Sequence, residues 1–251
     1  MNSAINWLVG TVEKWRFIRL ILVTAIVFSC SQADATARVT AGITGLFDKQ
    51  TATITQSALN DINLNDDLGI TNNVSLYEFY AGIHFNDFSM RGYYLQNRSQ
   101  DGIGTLKEGQ FKKTDKDDKR KFIPVNSTFG FRVYRFEMGL PFIYTNTILE
   151  PFIVASTTNS NLNMQGEKLN LDLSNTKSSP GFGVAIIQKA ASNANVTFKA
   201  YKTNIDSLIE LEYVSYSQNM FWKAGYSWRR FNLDNINLNL SGPKVEIGVV
   251  F

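Results

Sequence analysis

The sequence predicts an all-β chain that closes into an antiparallel up-and-down barrel and crosses a membrane with its strands. Three observations carry this. The final segment, Lys244 to Phe251, puts Val245, Ile247, Val249 and Phe251 on one face and Glu246 and Gly248 on the other, because side chains alternate along a strand. Several upstream segments repeat the alternation. After Phe28 there is no long apolar run, Val184-Ala185-Ile186-Ile187 being among the longest, whereas a spanning helix needs about 20 apolar residues. Only helices and closed barrels satisfy all backbone polar groups in lipid, so the barrel is what remains.

The strands can be read in order. A first strand runs near Val39 to Phe47. Tyr77, Phe79, Ala81, Ile83 and Phe85 then alternate with Glu78, Tyr80, Gly82, His84 and Asn86, the apolar-out, polar-in pattern of a lipid-facing barrel. Asn86-Asp87 is a tight turn before a strand from about Phe88 to Gln96. Next, Phe129, Phe131 and Val133 are read as outward, with Thr128, Gly130, Arg132 and Tyr134 inward. A short link, Gly139 to Tyr144, leads to a strand from about Thr147 to Thr158, and Gly181 to Gln188 forms another. Val196, Phe198 and Ala200 alternate with Thr197, Lys199 and Tyr201. Ile209, Leu211 and Tyr213 alternate with Glu210 and Glu212; Trp222, Ala224, Tyr226 and Trp228 alternate with Lys223, Gly225, Ser227 and Arg229. With the closing strand this gives about ten strands; eight is the alternative if two weak segments are loops. An even count returns both termini to one side. The connections alternate between short (Asn86-Asp87, Lys189 to Asn193, Gln218 to Met220) and long (Gln50 to Asn73, Asn97 to Lys121, Asn159 to Pro180). A soluble β-sandwich would also alternate, but it would rarely expose a row of Trp and Tyr.

The other end of the chain predicts export. Lys14, Arg16 and Arg19 precede an apolar run from Leu20 to Phe28, and small residues follow at Ala33, Ala35 and Ala37. This is the order of a secretory signal peptide, with Ala33-Asp34-Ala35 as the cleavage signal. Residues 1–35 are thus expected to be removed, leaving 216 of the 251 residues, 36–251, as one barrel domain. An uncleaved anchor is the alternative. The only cysteine, Cys30, sits in a loose lipoprotein-like box, Val27-Phe28-Ser29-Cys30; if the alanine site is used, the mature chain has no thiol and no disulfide. The net charge of +3 carries no nucleic-acid signature.

Three stretches carry a family resemblance. Asn63-Leu64-Asn65-Asp66-Asp67-Leu68-Gly69-Ile70, Lys223-Ala224-Gly225-Tyr226-Ser227-Trp228-Arg229 and Leu240-Ser241-Gly242-Pro243 before the terminal Phe strand resemble the "DDLG", "GYR" and "LSGP" segments of small bacterial outer-membrane β-barrels. The resemblance implies about ten strands, the outer membrane of a Gram-negative bacterium, contact with membrane lipid and lipopolysaccharide, and recognition of the closing strand by the barrel-assembly machinery. Val245, Ile247, Val249 and Phe251 would be that assembly signal. It carries no catalytic residues, and a monomer is expected.

The inward positions hold the chemistry. Glu78, His84, Arg91, Arg132, Lys199, Glu210, Glu212, Lys223, Arg229 and Glu246 are expected to line the lumen. Isolated buried ions are very costly, so charges of both signs on one inner face must pair or be hydrated. In so narrow a barrel side chains can largely fill the interior. The leading expectation is therefore a lumen plugged by salt bridges and a structural or adhesive role; a narrow pore for small polar solutes is the alternative. An enzyme acting on lipid A is disfavoured. His84, the only histidine, is placed near the periplasmic turn, and no serine sits in a G-x-S-x-G setting. One His and no mature Cys give no transition-metal spacing, and the Asp clusters lack calcium-loop spacing. No cofactor or metal is expected. The basic stretch within Ser99 to Lys121 could meet lipopolysaccharide phosphates.

Overall fold

A computed structural model describes residues 37–55, 60–111, 121–167 and 169–251. The expected export segment, with Ala33, Ala35 and Cys30, lies outside the described residues, as does the basic run from Lys112 to Arg120. Among the described residues there are thirteen strands and no helix. In chain order they are β1 (Arg38–Ile54), β2 (Ile62–Asn63), β3 (Asn73–His84), β4 (Ser89–Asn97), β5 (Gln100–Lys107), β6 (Phe122–Gly139), β7 (Phe142–Tyr144), β8 (Thr147–Gly166), β9 (Leu169–Ala191), β10 (Ala194–Thr203), β11 (Asp206–Ser217), β12 (Met220–Leu233) and β13 (Ile236–Val250).

Ten of these strands close a ring. Its order is β1-β3-β4-β6-β8-β9-β10-β11-β12-β13 and back to β1, antiparallel throughout. Closure is made by β1 and β13, which pair from Thr40↔Val250 to Ile54↔Ile236 and are locked at the tip by reciprocal bonds between Val39 and Phe251, 3.1 and 2.9 Å. The even strand count puts Arg38 and Phe251 at the same end, called here the terminal end; the opposite rim is the distal end. The remaining strands are accessories. β5 takes over from β4 along the distal half of β6, β2 pairs with β1, and β7 with β8.

The alternation explains the wall. Ile43, Phe79, Ile153, Phe182, Ile209, Leu211, Trp222, Trp228, Val245 and Ile247 are exposed on the outer surface, Phe182 by 76%. A water-facing protein does not present such a belt; lipid accepts it. The strands are longer than the belt requires. A transmembrane strand needs about 9–11 residues, yet β8 has 20 and β9 has 23, so both project well past the belt at the distal end. The segment Asn159 to Pro180, expected as a loop, is therefore part of a continuous hairpin paired to its tip at Gly166↔Leu169. Its Asn, Ser and Thr residues look like loop only because both faces can be polar once a strand has left the lipid. The segment Asn97 to Lys121 likewise contains β5.

The wall is uneven. β10 and β11 turn back early, and the last β9–β10 pair is Gly181↔Thr203. Beyond that rung β9 has β8 on one edge and, among the described residues, no strand on the other.

Candidate functional site: the layered lumen

The interior is built in two layers. The distal layer is apolar. Leu46, Ala52 and Ile54 of β1, Ile123, Val125, Phe129, Phe131 and Val133 of β6, Leu162 and Met164 of β8, and Phe231 to Leu240 of β12 and β13 form one buried cluster. Into it folds the segment from Ile62 to Ile70, whose Leu64, Leu68 and Ile70 are 0–2% exposed; each stabilises the seat by about 1.5–3 kcal/mol. Ser127 Oγ, pointing inward, donates to the Leu68 carbonyl at 3.0 Å. Gly104 makes the close approach possible, since a Cβ there would lie 2.5 Å from Leu68 Cα. Gly69 turns the segment back with φ of +67°, a conformation glycine adopts freely.

The layer below is charged. Glu150 of β8 pairs with Arg91 of β4, and Arg91 Nε lies 3.4 Å from Glu137 of β6. Glu137 also takes Lys199 of β10 at 2.7 Å and Arg135 at 3.1 Å. Arg135 reaches Glu78 of β3 at 3.5 Å, Glu78 reaches Arg229 of β12 at 3.1 Å, and Arg229 reaches Glu210 of β11 at 3.9 Å. Lys244 of β13 joins Glu210 at 3.0 Å and also pairs with Glu212. Five cations and five carboxylates from eight ring strands thus form one connected chain across the lumen. Lys223 and Glu246 form a separate pair at 2.7 Å, with Thr44 Oγ1 donating to Glu246 at 2.9 Å. Aromatic rings complete the layer. Arg135 lies 3.9 Å from the Tyr93 ring centre, and Tyr201 and Ser156 both donate to Asp206, the latter at 3.1 Å.

Nine of the ten sequence-chosen lumen residues face this interior. His84 is set apart from the chain: it ends β3 at the terminal rim, with Thr40 Oγ1 at 3.3 Å from its Nε2. Arg132 is the correction. It is exposed on the outer face, because β6 runs in the opposite phase from the one expected: Phe129, Phe131 and Val133 point inward and Arg132, Tyr134 and Phe136 outward. The same phase puts Arg135 and Glu137, the two best-connected members of the chain, inside, and sequence reasoning missed both. Glu150, Lys244, Asp206 and Asp48 were also missed. Period-two spacing of Arg135, Glu137 and Gly139 was the available signal. It was masked because the β6 interior changes from apolar to charged halfway along.

A vestibule of about 910 Å³ opens at the terminal end, past Arg38, His84 and Phe251, and reaches the charged chain, whose Arg91, Lys199 and Lys244 are among its lining residues. Among the described residues no three His, Cys, Asp or Glu side chains are grouped to hold a metal ion.

Comparison with solved structures agrees with this geometry. The outer membrane protease OmpT of Escherichia coli superposes with a TM-score of 0.57, covering 88% of this chain and 99% of that one at 7% identity. The fold is that of bacterial outer-membrane β-barrels. Ail, the attachment invasion locus protein of Yersinia pestis (TM-score 0.40, 10% identity, 86% and 99% covered), and Neisserial surface protein A (0.34, 12%, 85% and 96%) also match, at scores that add nothing to the argument. At these identities the likeness is one of fold alone. No protein-family model matches the sequence, and no curated protein matches it.

Proposed function

We propose that this chain is a non-conducting barrel of the bacterial outer membrane, with a structural or adhesive role, which holds a β-sheet head on the cell surface. The observation that carries the reading is the two-layer filling of the lumen. A solute entering the vestibule meets the charged chain and then the apolar cluster with its inserted segment, Ile62 to Ile70. On this reading the terminal end faces the periplasm and the distal hairpins face outward. Short turns such as Phe85–Phe88, closed by a 2.7 Å bond, then lie inside, as is usual for such barrels.

The likeness to a protease does not transfer its chemistry. His84 lies at the terminal rim, in the vestibule, and its described hydrogen-bond partner is Thr40 Oγ1. Most of the inward charges are engaged with one another, which supports the reading of a non-enzyme whose inward charges serve packing.

The test is surface display. An epitope inserted at the β8–β9 tip, after Glu167, should be labelled on intact cells, while one in the Asn86-Asp87 turn should be labelled only after permeabilisation. The reverse pattern, or a soluble periplasmic product, would overturn the reading.

A further inference from the structure

The outer face of each ring strand changes from apolar to polar toward the distal end. Moving toward the distal end, each ring strand places a first polar outward residue just past its last apolar one. On four strands this residue is a cation: Lys49 beyond Phe47, Arg132 beyond Tyr134, Lys202 beyond Ala200 and Arg230 beyond Trp228. The other six ring strands place Ser, Thr or Gln there. None of the ten places a carboxylate there, although the inner face of the same strands carries many. All four cations are exposed, and none forms an ion pair with another described residue.

Two of them share a row. Lys202 pairs with Ser207 across β10–β11, and Ser207 with Arg230 across β11–β12. Strands lie about 4.8 Å apart, so the two cationic positions stand roughly 10 Å apart with a hydroxyl between them. Ile209 and Trp228, 47% and 48% exposed, sit directly beneath. The row also lies where the wall is lowest, since the β10–β11 turn follows immediately after Lys202. Asp234, in the β12–β13 turn above it, is already engaged by Lys177 and Asn175 of β9.

A carboxylate-free row with a planar guanidinium and an ammonium, at the upper edge of an apolar belt, matches the phosphates of a lipid whose acyl chains lie on that belt. Guanidinium groups bind phosphate oxygens in a fork, and long basic side chains lay their stems on apolar surface with the charge at the headgroups. We propose that Lys202, Ser207 and Arg230 form a binding site for the phosphates of an anionic glycolipid in the leaflet around the distal end. The proposal rests on the membrane-spanning reading above.

The test uses the refolded barrel in neutral detergent, with phosphorylated lipid A, enzymatically dephosphorylated lipid A and inorganic phosphate as probes. Each sample is first shown to be folded by its altered mobility on an unboiled gel. A wild-type chain without that shift would remove the barrel itself; everything after it concerns the site. K202Q/R230Q should weaken binding of phosphorylated lipid A by about tenfold or more, on the order of one charge-assisted hydrogen bond, and leave the dephosphorylated lipid unaffected. K202R/R230K, which keeps both charges, should bind like wild type, as should K189Q at the opposite end. Equal binding by wild type and K202Q/R230Q would overturn the site. So would equal binding of the two lipids, or displacement by millimolar inorganic phosphate, which would mark a free-ion site.

Discussion

Glu137 faces three cations, Arg91, Arg135 and Lys199, and its side chain is 0% exposed. Neutralising it leaves a cluster of like charges in a closed space. Removing one partner of a buried pair costs about 3–5 kcal/mol, so Glu137→Gln should lower the unfolding free energy of the barrel, measured by urea titration in lipid vesicles, by that much. Arg132, three residues from Arg135, should behave oppositely. It is exposed on the outer face, and Arg132→Gln should change stability by no more than about 0.5 kcal/mol. The same contrast marks how far single residues were legible. Glu78, Lys199, Glu210, Glu212, Lys223, Arg229 and Glu246 could be placed from alternation because the outward residues flanking them are apolar or small. β6 could not, since Phe129 and Phe131 belong to an inner apolar core that a strand-by-strand rule assigns to lipid.

At the scale of elements, the ring strands were readable where they face lipid and unreadable where they leave it. The closing strand, β12 beside it and β11 beyond that alternate strictly, and their pairing follows. The distal halves of β8 and β9 are polar on their outer face, so nothing in the residue types separates strand from loop there. The inner seat of Ile62 to Ile70 depends on contacts distant in sequence, with Gly102 and Gly104 marking the approach. Gly104→Val should force that segment away from β5. Overpacking of this kind costs about 1–3 kcal/mol, and the segment should become open to protease in folded barrels while the ring stays intact. A second contact ties the β8–β9 hairpin to the β12–β13 turn. Hydrogen bonds from Lys177 and then Asn175 hold the Asp234 carboxyl below its ordinary range. A carboxyl depressed in the folded state contributes above its unfolded pKa, about 3.9, and the contribution is lost as pH falls through the lower folded value. Protection of the turn amides, relative to the intrinsic exchange rate at each pH, should therefore fall as pH drops below about 4 in the wild type, and Asp234→Asn should remove that step.

For the whole molecule, the two layers explain why a chain with so many inward charges need not conduct. The charged chain is balanced, with five cations against five carboxylates, and such a net holds facing strands together at mid-height. On the proposed reading the apolar cluster above is the second barrier, because a cavity lined by Leu, Ile and Phe offers an ion no partners. The barrel then serves as a stalk for the distal head. The architecture was legible in the sequence because it is written in alternation. The pairing scheme was not, because it depends on which side chains meet across the lumen.

Planar-bilayer recording tests that closure most directly. Wild-type barrels, shown to be folded by their gel mobility and delivered from proteoliposomes of known protein content, should give no discrete conductance steps over many fusion events. Barrels lacking residues 62–70 should show small steps or flicker as the distal layer loosens. Regular, reproducible steps from the wild-type protein would contradict the account.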